Sequence, residues 1–408
     1  MKRKTIGPRV FSVFFHPNPH ITAVGGAEKR FLETSQIFVE KGLELVVLEP
    51  NPSLLKRKGA YCKVYALPSP FSATHSWFTI YSDWILWAVL ACFRSVFIIR
   101  STRCSVVLAP NNTVPNLLPA YFAHVVTHLP LCVVAHHIDV TSENSNKDFR
   151  TIFQTYKKTG YSSSISFLKT LAFFIITRLL KKADACITVS DFTAQTLTHL
   201  GIEPRRICVS GNGVDLQAIH QIPTPQKKTY SAVFVGRISK EKGVFDLLDV
   251  WRQIVSEREH ERLLIIGTGP DLSKVQKMVV AYGLRKNVVV CGGVDDVEMY
   301  SLLKSSRVFV FPSRFEGWGL AVAEALVCGL PVVCYDIPAL REVFGECKGV
   351  FLVPSGNVKR LLAATRKILE LEQEKYAELA EVSRNYASRF AWDKVAFKDL
   401  QIIKKLET

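Results

Sequence analysis

The sequence predicts an α/β protein made of two Rossmann-like domains, each built on a doubly wound parallel sheet. The chain has 408 residues, which is long for one core and suits two domains of about 200 residues. Short runs of β-branched and apolar residues alternate with helical stretches in both halves of the chain. A polar stretch with two prolines, 221–228, separates the two series and marks the approach to the second domain.

The first series opens with a strand, a glycine turn at Gly25-Gly26 and an amphipathic helix at 27–41. The irregular polar segment 139–160 is predicted to be a mobile loop near the carboxyl edge of the sheet. The strands of this series are predicted at 10–15, 43–49, 106–109, 131–135 and 185–189.

The second series has the same alternation and is followed by a charged helical region at 361–406. Its most regular part is a βαβ unit, in which a helix that stops at Gly329 joins two strands. Ligands of parallel sheets collect at the carboxyl ends of the strands, so the turns after these strands are candidate sites. The strands are predicted at 231–235, 263–266, 288–291, 308–311 and 331–335.

Composition excludes several classes of protein. Apolar residues make up 48% of the chain and charged residues 22%, which indicates a globular rather than a disordered protein. The ten cysteines are scattered singly, without metal-ligand spacing, so neither a metal site nor a disulfide framework is predicted. The net charge of +16 suits an anionic partner, but the chain carries no nucleic-acid-binding signature, and nucleic acid is not predicted as a partner.

Basic clusters in the first half of the chain lie close to apolar stretches. The stretches 77–99 and 165–180 are rich in aromatic and aliphatic residues, and Lys181-Lys182 follows the second. Apolar surface beside basic residues suits a protein that rests on an anionic bilayer, and ordinary core helices explain each stretch equally well. No membrane span is predicted, because 84–93 holds only ten apolar residues where a span needs about 20, and no signal peptide is predicted. The clusters are Lys56-Arg57-Lys58, Lys157-Lys158, Arg178 with Lys181-Lys182, and Arg205-Arg206.

A glutamate inside an apolar helical run is the most informative side chain. Glu324 is the only polar residue in 320–327, and a carboxylate buried there needs a hydrogen-bond donor. Glu316 stands eight residues earlier, just beyond a strand end. Gly317 and Gly319 bracket the turn before the helix, where backbone amides at the helix N-terminus can approach an anion such as a phosphate.

Two cations follow another strand end of the second series. Arg237 and Lys242 come directly after strand 231–235 and Gly236. A diphosphate needs fixed positive charge, for which arginine offers a fork that matches two oxygens and lysine a point charge. Together with Glu316, these residues predict a phosphate clamp beside a carboxylate that can hold sugar hydroxyls.

Two further motifs lie in the first series. Gly25-Gly26-Ala27-Glu28 is a flexible turn at a helix start, which suits either a ligand or close packing. His136 and His137 follow strand 131–135, where a histidine can hydrogen-bond a substrate or move a proton. We favour His137, two residues beyond the strand end, as the one that faces the site.

These residues resemble those of the retaining glycosyltransferases of family 4, which have the GT-B fold: two Rossmann-like domains that face each other across a cleft. The resemblance spans nearly the whole chain, and its most specific part is Glu316-x7-Glu324 within Phe-Glu-Gly-Trp-Gly-Leu. The other matching segments are Gly25-Gly26-Ala27-Glu28, His137, Asn212-Gly213-Val214-Asp215, Gly236-Arg237, Lys242-Gly243 and Gly267-Thr268-Gly269-Pro270.

The resemblance implies a role for each matching residue. Arg237 and Lys242 would bind the diphosphate of a nucleotide sugar. Glu316 would hold the hydroxyls of the donor sugar, and Glu324 those of the ribose. His137 would contact the sugar near its reacting carbon. The implied catalytic residues are Glu316, His137, Arg237 and Lys242. The implied donor-binding residues are Gly25, Gly26, Gly236, Arg237, Lys242, Val294, Gly317, Trp318, Gly319, Leu320 and Glu324, with the backbone near Val294 facing the nucleobase.

The same resemblance implies an acceptor-binding domain at 1–215, a nucleotide-sugar-binding domain at 216–388, and a C-terminal helix at 389–408 that crosses back to the first domain. The implied reaction moves a sugar from a UDP- or GDP-linked donor to a hydroxyl of a glycan or lipid-linked acceptor and keeps the anomeric configuration. No Asp-x-Asp motif is present, so we expect neither a metal ion nor a cofactor. The expected location is cytoplasmic, peripheral at the inner face of the cell membrane.

Two other functions fit parts of the pattern. A nucleotide-sugar epimerase of the same fold would consume the donor without an acceptor. A catalytically silent scaffold at a membrane would tolerate the loss of Glu316 or Lys242, yet this chain retains both. The sequence leaves open the base, the sugar, the acceptor and the oligomeric state.

Overall fold

A computed structural model describes residues 8–16, 25–50, 55, 62–69, 77–138, 148–158 and 161–407, with the backbone alone at 77–82. The chain divides into two compact units. Unit 1 is Met1–Asn212 with Trp392–Thr408, and unit 2 is Gly213–Ala391. The opening Met1-Lys-Arg-Lys and the cluster Lys56-Arg57-Lys58 lie outside the described residues.

Unit 1 is built on a parallel sheet of seven described strands in the order β3-β2-β1-β4-β5-β6-β7. Its strands are β1 (Arg9–Val13), β2 (Glu44–Glu49), β3 (Lys63–Ala66), β4 (Val106–Ala109), β5 (Leu131–Ala135), β6 (Ala185–Thr188) and β7 (Ile207–Val209). Its first helices are α1 (Gly26–Glu40), α2 (Trp77–Thr102), α3 (Val114–Thr127), α4 (Phe149–Lys158), α5 (Ser163–Leu180) and α6 (Asp191–His199).

Unit 2 repeats this topology in a sheet of six described strands in the order β10-β9-β8-β11-β12-β13, again all parallel. Its strands are β8 (Tyr230–Val235), β9 (Leu263–Ile266), β10 (Val288–Gly292), β11 (Ser306–Phe311), β12 (Val332–Asp336) and β13 (Val350–Pro354). Its helices are α7 (Leu216–Gln221), α8 (Val244–Glu257), α9 (Leu272–Ala281), α10 (Asp296–Lys304), α11 (Leu320–Val327), α12 (Pro338–Phe344), α13 (Val358–Leu369) and α14 (Gln373–Ala387). The last helix, α15 (Trp392–Glu407), belongs to unit 1.

The two faces of the unit 1 sheet carry separate apolar cores. Successive side chains of a strand point to opposite faces, so Val10 contributes to one core and Phe11 to the other. Helices α1 and α15 cover one face with residues such as Phe31 and Leu400. Helices α2, α3, α4 and α5 cover the other face, where Trp87 is fully buried.

The predicted α/β class with two doubly wound sheets is confirmed. Each of the ten predicted strands is present, with bounds that differ by two residues at most. The strands that the sequence did not reveal are β3, β7 and β13, and each lies at the edge of its sheet. All three are partly exposed; β3 is mixed in polarity and β7 has only three residues, whereas β13 is an apolar run that the sequence analysis missed.

The prediction of a mobile loop at 139–160 is wrong for its central part. Residues Phe149–Lys158 form the helix α4, and its Ile152 and Tyr156, four residues apart, pack into the core of unit 1. Its apolar side chains, at positions 149, 152, 153 and 156, have the i, i+3, i+4, i+7 spacing of an amphipathic helix, a pattern that the sequence analysis missed. The remaining parts, 139–147 and 159–160, lie outside the described residues.

Two helices of unit 1 are longer and more apolar than the sequence analysis allowed. By length and composition, Asp83–Thr102 and Ser163–Leu180 would each suffice to cross a membrane. The sequence analysis predicted no span because it considered only the ten apolar residues 84–93 of the first helix. In the most apolar 18-residue stretch of each helix, half of the first is buried inside the protein and 28% of the second. A core helix meets the same test, and α2 packs its Trp87, Ala91 and Ile98 against the sheet.

Candidate functional site

The predicted donor-binding residues of unit 2 lie at the carboxyl ends of two adjacent strands. Arg237 and Lys242 follow β8, and Glu316 follows β11. In the strand order of this sheet, β8 and β11 are the neighbours from which the chain winds in opposite directions. Such a switch point is where open α/β sheets bind their ligands.

Lys242 and Glu316 form an ion pair at this edge. The Lys242 Nζ donates to Glu316 Oε1 at 2.6 Å, although the residues are 74 positions apart. The side chains are 19% and 13% exposed, so the pair is largely desolvated but still open to a ligand. The ammonium also lies 5.8 Å from the ring centroid of Phe311, the last residue of β11.

Arg237 also forms an ion pair with a glutamate. Its guanidinium donates to Glu241, which stands one turn further along the same loop, and its side chain is 60% exposed. Each predicted diphosphate-binding cation is therefore neutralised by a glutamate of unit 2. A diphosphate would exchange with these carboxylates rather than enter a site with uncompensated charge.

Two glycines allow close packing of the turns that carry Lys242 and Glu316. Gly243 has φ +71°, and a Cβ there would lie 2.0 Å from the carbonyl oxygen of Pro312. Gly319, the N-cap of α11, has φ +104°, and a Cβ would lie 2.4 Å from Leu340. A side chain at Gly243 would push the turn bearing Lys242 away from the end of β11, and one at Gly319 would push the start of α11 away from α12.

The buried Glu324 has a hydrogen-bond donor inside unit 2. It lies in α11 with 4% exposure, and the hydroxyl of Tyr300 in α10 donates to its Oε1 at 3.2 Å. The sequence analysis predicted a hydrogen-bond donor for Glu324 but assigned this role to the ribose hydroxyls of the nucleotide sugar. Tyr300 is fully buried among apolar neighbours, so nothing in the sequence distinguished it from a core residue.

The other predicted residues around α11 differ in what they offer a ligand. Trp318 was predicted to bind the donor, but its ring is 5% exposed and packs edge-on against Phe344 and Phe390, so only its backbone is suited to that role. Gly317 and Leu320 are half-buried in the turn and at the start of α11. Gly236 and Val294 are half-buried too, in the loops after β8 and β10.

A cluster that the sequence analysis missed supports the turn bearing Glu316. Asp246, in the first turn of α8, accepts hydrogen bonds from Arg314 at 2.5 Å and from the Tyr335 hydroxyl at 2.6 Å. The Arg314 amide also donates to the carbonyl of Glu241 at 2.9 Å. Burial, followed by the Asp246 carboxylate, raises the pKa of Tyr335, so the hydroxyl remains a donor. The cluster ties 314–316 to the segment that carries Lys242.

In unit 1, the two histidines after β5 have different surroundings. The Nε2–H of His136 donates to the Pro110 carbonyl at 3.0 Å, and burial, followed by the charge of Arg30, lowers the pKa of His136 to about 3. The Asn112 side chain accepts from the His136 amide at 3.1 Å and donates to the His137 carbonyl at 2.9 Å. Both side chains are half-buried, and because His136 is neutral and bonded to the Pro110 carbonyl, His137 remains the histidine that we predict to meet a ligand.

The turn at Gly25-Gly26 begins α1, and its neighbour Glu28 occupies the helix start. A Cβ at Gly25 would lie 2.4 Å from a carboxylate oxygen of Glu28, and burial raises the pKa of that carboxyl. Buried His16 and Glu49, at the ends of β1 and β2, lie 3.6 Å apart at the same edge of the sheet. With carboxylates here, the unit 1 edge suits hydroxyl groups better than a phosphate.

Among the described residues, no group of three or more His, Cys, Asp or Glu side chains is arranged to hold a metal ion.

Two family models match this chain in succession. The model for glycosyltransferase family 4 matches residues 24–218, and that for glycosyl transferases group 1 matches residues 215–386. The mannosyltransferase B of O-antigen chains from Escherichia coli is 27% identical over 240 residues, covering 56% of this chain and 62% of the relative. A GDP-mannose:cellobiosyl-diphosphopolyprenol α-mannosyltransferase from Xanthomonas oryzae pv. oryzae is 26% identical over 241 residues, covering 58% and 62%.

The matches to such curated relatives span between 32% and 62% of the relatives' own length. Among solved structures, HepE from Anabaena in complex with UDP and glucose superimposes with a TM-score of 0.70 at 15% identity, covering 98% of this chain and 100% of that one. The family models together extend over nearly the whole chain, and the full-length likeness confirms the fold. The chain belongs to glycosyltransferase family 4 and has the GT-B fold.

Proposed function

We propose that this protein is a retaining glycosyltransferase that moves a sugar from a nucleoside-diphosphate donor to a hydroxyl of a glycan or lipid-linked acceptor, without a metal ion or cofactor. The observation that carries the proposal is the pair formed by Lys242 and Glu316 at the switch point of unit 2, 2.6 Å apart. A cation for a diphosphate and a carboxylate for sugar hydroxyls stand side by side there, at the start of a helix.

The diphosphate would be held by charge from three sources. Arg237 is exposed enough to leave Glu241 for a phosphate oxygen, and Lys242 can bridge a second oxygen while it stays next to Glu316. The first N–H groups of α11 have no partner within their own helix, and the helix dipole adds positive potential at the same place. These groups stabilise the negative charge that develops on the leaving diphosphate.

In the reaction, the bond between the anomeric carbon and the diphosphate oxygen breaks, and a bond from that carbon to the acceptor oxygen forms on the same face. The acceptor proton passes to an oxygen of the leaving diphosphate. Glu316 accepts hydrogen bonds from the donor sugar and fixes its orientation, and His137 is the residue proposed to contact the sugar near its reacting carbon. Glu324, which accepts a hydrogen bond from Tyr300, binds the ribose hydroxyls.

The choice of donor lies between uridine and guanosine compounds. The name of the Xanthomonas relative contains GDP-mannose and a polyprenol-linked acceptor, and the Anabaena structure contains UDP and glucose. We propose the same two donor classes and a glycan or lipid-linked acceptor for this chain. The proposed location is the cytoplasmic face of a membrane, in peripheral contact with anionic lipid.

A thermal-shift experiment with UDP, GDP and their sugars tests the donor part. A ligand at about one hundred times its Kd stabilises the folded state by about 2.7 kcal/mol. We expect a clear rise of Tm with one base, and release of that nucleoside diphosphate only when an acceptor is added. Donor consumption without an acceptor would indicate an epimerase, and no shift with any nucleotide would contradict the transferase function.

A further inference from the structure

Exposed apolar side chains are concentrated on one side of unit 1. In the described part of the chain, sixteen large apolar side chains are exposed, and twelve of them lie on α2, α3, α4 and α5. These helices form a continuous layer, because α2 packs on α3, and α5 packs on both α3 and α4. We call these twelve residues the apolar face: Ile85, Leu86, Val89, Leu90, Phe93, Phe97, Val125, Val126, Phe149, Phe167, Leu171 and Phe174.

The apolar face is not required by the core of unit 1. Helix α2 already contributes Trp87, Ala91 and Ile98 to the core from its inner side. On its outer side, Phe93 is 67% exposed and Phe97 61% exposed. A helix that only covers a sheet is polar on its solvent side, so a helix that is apolar all round has a second apolar neighbour.

The charged side chains of these four helices are almost all basic. The four helices contain seven Lys or Arg residues and a single acidic residue, Asp83, which is 8% exposed. Several cations lie on aromatic rings of the same layer: Arg94 is 5.5 Å from the ring centroid of Phe97, and Lys169 is 5.0 Å from that of Tyr161. The seven are Arg94, Arg100, Arg150, Lys157, Lys158, Lys169 and Arg178.

This charge pattern selects among possible occupants. A second copy that packed the same face against itself would bring seven cations toward seven cations without acidic partners on these helices, which is unfavourable. An anionic bilayer offers a hydrocarbon interior for the apolar side chains and phosphate headgroups for the cations around them. The apolar face and its cations therefore fit an anionic bilayer better than a second copy of this chain.

A depression of about 570 Å³ lies within the apolar face, between α2 and α3. Phe93, Phe97, Phe122 and Val126 line it, and Arg100 stands among them. An apolar recess with a cation beside it suits the upper part of an acyl or prenyl chain under a phosphate group. The opposite face of the sheet has no comparable surface, because Phe397 is the one exposed large apolar side chain of α1 and α15.

We propose that the apolar face is a bilayer-docking surface, by which unit 1 inserts the outer side chains of α2, α3 and α5 into the headgroup region of an anionic membrane. The proposal deepens the membrane part of the proposed function and does not depend on sugar transfer. It specifies which side of unit 1 meets the lipid and which residues enter it.

Vesicle flotation of the full chain tests the docking surface. The protein is mixed with vesicles of phosphatidylcholine alone, or of phosphatidylcholine with phosphatidylglycerol, and the fraction that floats is measured. We expect flotation with the anionic vesicles. The double variant Phe93→Ser/Phe97→Ser should lower the partition coefficient about tenfold or more, because both rings leave the interface. Arg94→Gln/Arg100→Gln should lower it about fivefold per charge.

Matched controls come from the rest of the chain. Phe397→Ser/Val297→Ser removes two side chains that are 59% and 65% exposed, and Arg285→Gln/Lys286→Gln removes two exposed cations of unit 2. Neither control should change flotation, and all four variants should retain the circular dichroism and nucleotide-induced Tm shift of the parent.

Three results would overturn the proposal. The parent protein fails to float with anionic vesicles, or it floats and Phe93→Ser/Phe97→Ser floats equally well. Alternatively, the parent is a dimer in the absence of lipid and the double variant is a monomer, which would assign the face to a second copy. Because the Tm shift with nucleotide is measured on the same samples, failure of docking is distinguishable from failure of the donor site.

Discussion

Each unit contains a buried or half-buried ion pair between distant residues, and the two pairs differ in what surrounds them. In unit 1, Arg30 and Asp399 are each 2% exposed and lie 2.9 Å apart, with a further bond from Arg30 to Ser210 at 2.7 Å. In unit 2, Lys242 and Glu316 are 19% and 13% exposed and lie on glycine-containing turns.

The difference separates a structural pair from the pair that we propose binds a ligand. Arg30 is enclosed by protein atoms and joins α1 to α15, so its pair serves to hold the last helix on unit 1. The Lys242–Glu316 pair lies where strands end and a helix begins, and a ligand can replace either partner. Removal of a charge should therefore cost stability in unit 1 and activity in unit 2.

The largest effect is expected for Arg30→Ala. The substitution leaves Asp399 charged and buried without its partner, which should lower the free energy of unfolding by about 3–5 kcal/mol. Urea denaturation measures this. The double variant Arg30→Met/Asp399→Leu removes both charges and should recover most of the loss. A loss below about 1 kcal/mol in the single variant would show that the pair is not structural.

The second-largest effect is expected for Lys242→Ala and for Glu316→Gln. Each removes a group that touches the donor in the proposed reaction, and each should lower kcat/KM about 10²–10³-fold while Tm changes little. The control is Lys286→Ala, an exposed cation of the same unit. Near-normal turnover in either site variant would contradict the site assignment.

A smaller effect is expected for His136→Asn, and it depends on pH. The pKa of His136 is lowered to about 3 in the folded protein, against about 6.5 when unfolded, so between these values only the unfolded state binds the proton. Stability from this group is present above pH 6.5 and is lost as pH falls. From pH 7 to pH 5 the parent should lose about 2 kcal/mol relative to the variant. Parallel stability curves for the two proteins would refute the assignment of His136 as a neutral, packed group.

The smallest effect is expected for Tyr335→Phe, which removes one of the hydrogen bonds to Asp246. The free energy of unfolding should fall by about 1 kcal/mol, and kcat should fall because the turn bearing Glu316 loses support. Tyr282→Phe is a matched control, since its hydroxyl donates to Asp249 at 2.8 Å elsewhere in unit 2. It should lose similar stability and no activity. Equal kcat in the two variants would show that the Asp246 cluster does not position the site.

The fold was predictable from sequence where burial is complete. Strands such as β4, β5 and β9 are continuous apolar runs, and their bounds were predicted without error. The site residues that follow strands, Arg237 and Glu316 among them, were located by the same rule, because parallel strands bring their carboxyl ends to one edge.

The rest depended on contacts between distant residues. Asp246 and Tyr335 are 89 residues apart, and no local pattern indicates that they meet. In the sequence, Tyr300 is indistinguishable from other core aromatic residues, and only the structure shows that its hydroxyl donates to Glu324. The resemblance implied a donor-binding role for Trp318, but only the structure shows that its ring packs against Phe344 and Phe390.

The central claim is that Lys242 contributes to a diphosphate site. Calorimetric titration of UDP against UMP, and of GDP against GMP, tests it in the parent, in Lys242→Ala and in the control Lys286→Ala. For one base, we expect the parent and the control to bind the diphosphate about tenfold or more tightly than the monophosphate, since a second phosphate adds charge-assisted bonds. Lys242→Ala should lose most of this preference. Equal affinity for the two nucleotides in the parent, or an unchanged preference in Lys242→Ala, would contradict the account.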